Sequence, residues 1–203
     1  MAIDSYHRYK ESQKGKIGIS LVSNWMIPYS NSKADKESAA RALDFMYGWF
    51  MNPLTRGEYP PVMRKLVGDR LPKFTREQSD MLKGSFDFVG VNYYTARFTS
   101  NIPISSSNIV NKSYDADQLL NQTDGDVATL FQAASSWLYV YPKGIRDLLV
   151  YTKKTYNNPV VYITENGVDE INDVNLSMEE ALEDDFRIKF YEQHLSYVQS
   201  AIR

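Results

Sequence analysis

Three short stretches of this 203-residue chain bring together residue types able to do chemistry, each directly after an apolar run. Glu165 and Asn166 follow VVYIT; Asn92, Tyr93 and Tyr94 follow FDFVGV; Ser23, Asn24 and Trp25 follow KIGISLV. In parallel α/β folds, ligands gather where strands end, so these positions matter most. A carboxylate there sits on rigid backbone, and phenols and amides converging on it could orient it and bind hydroxyls. The same position also lets Glu165 cap the next helix or pair with a surface cation.

Other chemistries have little to build on. Cysteine is absent, which removes disulfides, thiolate nucleophiles, iron–sulfur clusters and thiolate zinc sites. The two histidines, His7 and His194, stand far apart and read as solvated or core polar residues, leaving no basis for a histidine metal cluster or a Ser-His-Asp triad. Neither G-x-G-x-x-G nor P-loop spacing occurs, so no phosphate-binding cofactor is implied. A formal net charge of -2 gives no footprint for nucleic acid or an anionic membrane, and no apolar run approaches the ~20 residues that span a bilayer. The opening MAIDSYHRYKESQKG lacks the pattern of a signal peptide, and the compartment stays open. Sequons at Asn111, Asn121 and Asn175 could accept glycans in a secretory compartment, and sequons also arise by chance in so Asn-, Ser- and Thr-rich a chain. Charged residues at 24% and apolar ones at 43% fit a folded globular protein of one or two cores.

The elements that must carry these residues can be read from pattern. Lys16–Val22, Phe86–Val91 and Val160–Thr164 are apolar runs expected to form strands buried on both faces. Ser32 and Asp35 form a capping-box-like pair before a helix carrying Ala39, Leu43, Met46, Tyr47 and Phe50, which Pro53 is expected to stop. Trp25 and Trp49 read as core residues. Thr75 with Gln78 opens a short helix closed by Gly84, and a helix from Pro142 ends at Asn157, Asn158 and Pro159. Ser177 with Glu180 caps a closing helix lined on one face by Ile188, Tyr191, Leu195, Val198 and Ile202. Between about Thr95 and Ser135 the chain turns polar and aperiodic, as in a binding loop or a flexible linker. Strands alternating with helices imply a parallel sheet, either doubly wound or part of a barrel. A complete eight-unit barrel takes about 250 residues, so three units filling this chain would be a piece of one.

VVYITENGVDE, residues 160–170, resembles the nucleophile segment of family 1 glycoside hydrolases, in which the seventh barrel strand runs into a Thr-Glu-Asn-Gly signature. Upstream, GKIGISLVSNWMIPYS resembles the fifth strand, ALDFMYGWFMNPLTRGEYP the helix after it, and FDFVGVNYYTA the sixth strand. Together with DDFRIKFYEQHLSYVQSAI these cover nearly the whole chain in family order, with wording most similar to plant β-glucosidases. The resemblance implies an α/β fold, a partial (β/α)8 TIM barrel of about three βα units with long loops, and one domain over residues 1–203 cut at both ends. It implies Glu165 as catalytic nucleophile, Tyr94 as the phenol that orients it, Asn92 on the glycone side, and Trp137 and Asn24 in the leaving-group subsite. Trp137 could otherwise be a core tryptophan. No metal or cofactor is implied.

Departures from the family pattern limit that reading. The Thr-Phe/Leu-Asn-Glu-Pro segment that carries the acid/base carboxylate is missing, and so are the first-strand Gln, the third-strand His-Asn and the eighth-strand Glu-Trp groups that hold sugar hydroxyls. The expected function is therefore the nucleophile-bearing part of a retaining enzyme acting on β-glucosides of plant secondary metabolites, inactive by itself. The alternative is a non-catalytic truncated homologue acting as an interaction or dominant-negative subunit, which self-associates or pairs with a full-length partner through open sheet edges.

Overall fold

The computed structural model describes residues 2–103, 112–123 and 131–203. In chain order it contains α1 (Ala2–Gln13), β1 (Gly18–Val22), β2 (Trp25–Pro28), α2 (Lys33–Leu43), a π-helical turn (Asp44–Gly48), α3 (Trp49–Arg56), α4 (Pro61–Val67) and α5 (Arg76–Leu82). There follow β3 (Phe88–Asn92), β4 (Ala96–Asn101), α6 (Tyr114–Asp117), β5 (Leu120–Thr123), β6 (Phe131–Gln132), β7 (Tyr139–Val140), α7 (Lys143–Thr155), β8 (Val161–Glu165), α8 (Met178–Leu182) and α9 (Asp185–Ile202). Among the described residues no helix is long and apolar enough to cross a membrane.

The three apolar runs form one parallel sheet in the order β1-β3-β8, with helices as the crossovers. β3 is central: Val89 and Val91 on it, and Tyr93 just past its end, are completely buried against the helical layer. Leu21, Ala42, Leu43, Tyr47, Met51, Ile145, Leu148 and Tyr156 complete that core. The expectation that all three strands are buried on both faces is corrected: Val22, Tyr162 and Ile163 are exposed. They flank β3 on the outside of a three-stranded sheet, where among the described residues no further strand pairs with β1 or β8. The barrel is not closed.

The polar stretch after Thr95 is not simply a loop or linker. β4 pairs in parallel with β2 and antiparallel with β5, making a second small sheet. Arg41, reaching from α2, fastens it: Nε donates to the Gln118 carbonyl, and Nη2 donates to the Leu119 carbonyl at 2.8 Å and to Asn101 Oδ1 at 3.0 Å. Asp35 does the same from nearly two turns earlier, accepting the Asn101 N–H on Oδ1 at 2.9 Å. These bonds supply the order that the sequence pattern lacks, because polar strands have no apolar periodicity to betray them.

Helix signals hold at Ser32, Thr75 and Ser177, each of which accepts the N–H three residues on. Two expectations fail. Pro53 does not stop its helix; it lies inside α3, which runs to Arg56 and ends at Gly57 with φ 78°. The π turn directly upstream widens the helix, so that Leu43, Tyr47 and Met51 share the buried face while Phe50 turns out to 47% exposure. The Ser177–Glu180 box caps the five-residue α8, and α9 begins anew at its own cap, Asp184. α9 buries Phe190 and His194, whereas Ile188, Leu195 and Ile202 face outward at 61%, 63% and 76% exposure. Trp25 and Trp49 pack against the two core clusters as expected.

Candidate active site

The carboxyl ends of β3 and β8 are brought into register by an irregularity. Val89, Gly90 and Val91 oppose Val161, Tyr162 and Ile163 in turn, but Asn92 then opposes Glu165, skipping Thr164. A bulge of this kind re-aims the side chain that follows it. Here it puts Glu165 across from Asn92 on the open face of the sheet, and the extra residue fills the gap: Thr164 Oγ1 donates to Asn92 Oδ1. Gly90 makes the room. A Cβ at Gly90 would lie 2.4 Å from Ser20 Oγ and 2.8 Å from Thr164 Cγ2, so only glycine lets the flanking side chains close over β3.

Tyr93 points the other way, fully buried, its hydroxyl donating to the Tyr141 carbonyl at 2.7 Å. The next residue therefore returns to the open side, where Tyr94 Oη donates to Glu165 Oε2. That bond, with a lesser contribution from partial burial and the carboxylate's charge, pushes the Tyr94 phenol above its ordinary pKa. The phenol stays a donor. Glu165 is itself exposed; its carbonyl accepts the Tyr93 N–H at 3.0 Å, and the next residue is tied to the same strand by Asn166 Nδ2 on the Tyr93 carbonyl at 2.8 Å.

Trp137 is not a core residue. It is 48% exposed and stands edge-on to Tyr94, with ring centroids 6.1 Å apart and planes at 82°. The two rings line a cavity of about 470 Å³ with Leu138, Gly167, Val168 and Asp169. Arg97 Nη2 donates to the Trp137 carbonyl at 2.8 Å. Asn24 is half-buried at the end of β1, its backbone N–H on Met46 Sδ, one strand away from Asn92 and two from Glu165. Glu165, Tyr94, Asn92 and Trp137 thus form one group, and Asn24 borders it.

Pattern reading overlooked Thr164, Arg97 and Asp169. Thr164 looks like an ordinary strand residue until its partner strand is known. Asp169 accepts from the backbone N–H of Ser135 at 2.9 Å and from the Ser135 hydroxyl. The Ser135 hydroxyl, more than the backbone donors, holds Asp169 below the usual carboxylate range, so it stays ionised and is unsuited to give up a proton. Of the histidines, His7 is exposed near the Met81 carbonyl, and His194 is buried with Nδ1 on the Phe190 carbonyl. Among the described residues no group of three or more His, Asp or Glu could hold a metal ion. Of the sequons, Asn121 and Asn175 are exposed, and Asn111 lies outside the described residues.

A parallel sheet flanked by helices, with a carboxylate, a phenol and an amide at its carboxyl ends, is an arc of an α/β barrel viewed at the face where such barrels do their chemistry. The chain belongs to glycosyl hydrolase family 1, whose description matches residues 1–203. It is 60% identical over 200 residues to β-glucosidase 24 of Oryza sativa subsp. japonica, and 50% identical over 205 residues to raucaffricine-O-β-D-glucosidase of Rauvolfia serpentina. These alignments take in 97% and 99% of this chain but only 39% and 38% of the relatives. Among solved structures, a rice Os3BGlu6 β-glucosidase superposes with a TM-score of 0.90 at 38% identity, covering 100% of this chain and 43% of the other. A mutant of that rice enzyme in a covalent complex with Glc gives 0.91, also at 38% identity, covering 100% of this chain and 43% of that one. The fold is thus a portion of a family 1 TIM barrel, and the chain spans about two-fifths of its relatives' length.

Proposed function

We propose that this chain is the nucleophile-bearing part of a retaining β-glucosidase, with Glu165 as the nucleophile. The observation that carries the reading is the hydrogen bond from Tyr94 Oη to Glu165 Oε2 at the carboxyl ends of adjacent parallel strands. One oxygen is tied and aimed, leaving Oε1 to attack the anomeric carbon. In the first step the Glu165–carbon bond forms as the bond to the aglycone oxygen breaks, and that oxygen takes a proton from a second carboxyl group about 5 to 5.5 Å from the nucleophile. In the second step water attacks the same carbon, gives its proton to that second group, and Glu165 leaves as carboxylate. Asn92 would order the sugar side, and Trp137, with Asn24 at the border, would receive the aglycone against an apolar ring face.

Residues 1–203 contain no segment matching the family's acid/base carboxylate. Catalysis therefore needs that group from elsewhere, and the 203-residue chain is expected to be inactive on its own. The partner implied is a β-glucoside of a plant secondary metabolite, with neither nucleic acid nor membrane involved. The test is a chimaera in which these residues replace the corresponding part of a rice family 1 β-glucosidase. A 2-fluoroglucoside should label Glu165, and Glu165→Gln should abolish labelling and lower turnover by about four to six orders of magnitude. A label mapped to any other residue overturns the assignment.

A second reading, a non-catalytic subunit that associates through its sheet edges, is favoured by one observation. β1 and β8 each have a single partner strand among the described residues, and the residues beside them are apolar and exposed.

A further inference from the structure

The turn that carries Trp137 is closed on itself by the Leu138 N–H on the Ser135 carbonyl at 3.0 Å and the Ala133 N–H on the Leu138 carbonyl at 2.9 Å. It is fastened to the rest of the molecule by three side chains, of which Thr95 holds Tyr139, its Oγ1 donating to the Tyr139 carbonyl at 2.8 Å and receiving the Tyr139 N–H at 3.1 Å. Arg97, on β4, holds the Trp137 carbonyl. Asp169 holds the other end, where its Oδ2 receives both donors of Ser135. The other oxygen, Oδ1, is buried without a hydrogen-bond partner, so the Ser135 pair is the carboxylate's main tie to the turn. Asp169 sits four residues after Glu165 and lines the same cavity as Trp137 and Tyr94.

We infer that Asp169 is a positioning residue: by clamping Ser135 it sets the Trp137 ring over the cavity beside Tyr94, and so decides which leaving groups the site prefers. This rests on the reading of Glu165 as nucleophile and Trp137 as its aglycone platform. The physical reason is economy of ordering. A turn held only on the far side of Trp137, by Arg97 and Thr95, can pivot about that side, whereas an anchor at Ser135 as well fixes the ring before a ligand arrives, so binding need not order it. Because the Ser135 anchor belongs to the segment that leaves the nucleophile strand, the platform is tied directly to the nucleophile's own stretch of chain. Asp169 touches no reacting atom; it acts through Ser135 and the turn.

Hydroxyl-radical footprinting read by peptide mass spectrometry tests the clamp on the 203-residue chain. The chain has three tryptophans, which report separately. Asp169→Ala should raise oxidation of Trp137 by about twofold, since the ring starts at 48% exposure and full release roughly doubles its accessible area, while Trp25 and Trp49 stay unchanged. Ser135→Ala, which removes the hydroxyl donor but keeps the N–H, should reproduce part of the effect, and Asp169→Asn, which keeps an acceptor oxygen, should likewise show less of it. Where Asp169→Ala loosens all three tryptophans, Ser135→Ala decides. Unchanged Trp137 oxidation in both variants overturns the clamp. In the chimaera, Asp169→Ala should change the ratio of kcat/KM between aryl and alkyl glucosides while labelling of Glu165 by the 2-fluoroglucoside persists. An unchanged ratio overturns the specificity role. A parent chimaera that is not labelled at Glu165 instead refutes the catalytic reading, and the footprint still judges the clamp.

Discussion

Tyr94 Oη donates to Oε2 of Glu165, a residue 71 positions further along the chain, and the contact exists because Thr164 is bulged out of β8. Without the bulge, Thr164 would stand opposite Asn92 and Glu165 would fall on the face occupied by Tyr93. The phenol therefore meets a carboxylate that the local sequence alone would have pointed elsewhere.

The first prediction concerns that bond. In the chimaera, Tyr94→Phe should lower kcat by roughly 10- to 100-fold and change KM little, because a hydrogen bond to a charged group contributes about 1.5–3 kcal/mol and this one acts on the nucleophile. Steady-state kinetics on a nitrophenyl β-glucoside checks it. Unchanged kcat, or a loss confined to KM, would remove the orienting role.

The bulge itself depends on Gly90. A methyl group there would sit 2.4 Å from Ser20 Oγ and 2.8 Å from Thr164 Cγ2, in contact with both neighbouring strands. Gly90→Ala should destabilise the chain by about 1–3 kcal/mol through overpacking, and the double variant with Ser20→Gly should recover part of the loss. Urea denaturation followed by far-UV circular dichroism measures both. A Gly90→Ala chain as stable as the parent would mean that the strands can part without cost and that glycine is dispensable.

What could be read from the sequence follows a physical line. Strand runs such as FDFVGV and caps such as Ser32, Thr75 and Ser177 are local: each is decided within a few residues, by apolar patterning or by one side chain and one N–H. The strand-end positions of Asn92, Tyr94 and Glu165 were accessible for the same reason, since position after an apolar run is a local property. The π turn at Asp44–Gly48, the continuation of α3 through Pro53, the skipped Thr164 and the sheet built from β4 and β5 were not. Each depends on a distant partner. Asn101 and Gln118, held by Arg41 from α2, carry no mark of it in their own neighbourhood. The exposure of Ile188, Leu195 and Ile202 was hidden differently: their spacing describes a face built to be covered, and the described residues do not cover it.

A pH effect is expected at Asp44, at the start of the π turn. Burial raises its pKa from 3.8 to about 6, and Arg56 opposes that only in part. The folded state then binds the proton more tightly than the unfolded chain, so stability linked to this group rises as pH falls from above 6 toward 3.8 and is lost as pH rises through the folded value. Asp44→Asn should therefore stabilise the chain by about 1–2 kcal/mol near pH 7.5, after discount for partial exposure, with the difference shrinking near pH 5. Urea midpoints at the two pH values test this. A gain of equal size at both, or a loss at the higher pH, would show that the carboxylate is adequately solvated where it lies.

The last prediction concerns the open faces. β1 and β8 present unpaired backbone groups along their outer edges, among the described residues, and each edge has apolar neighbours. Val22 is 51% exposed beside one edge; Val160 at 57% and Tyr162 at 51% flank the other, with Leu195 on the adjoining helix. Unpaired strand edges recruit other strands, and contiguous exposed apolar surface recruits other surfaces, so the 203-residue chain should self-associate in a concentration-dependent way. Light scattering after size exclusion should give a mass above the 23.4 kDa of one chain. Leu195→Glu changes a side chain that makes no part of the buried core, so it should leave the circular dichroism spectrum intact while placing a charge on the apolar face. If that face drives association, the variant should shift toward the monomer; if the strand edges alone drive it, Ile163→Pro, which interrupts β8 at its rim, should do so instead. A parent chain that runs as a clean monomer across the concentration range would show that the open edges are protected by the twist of so short a sheet, and the subunit reading would lose its footing.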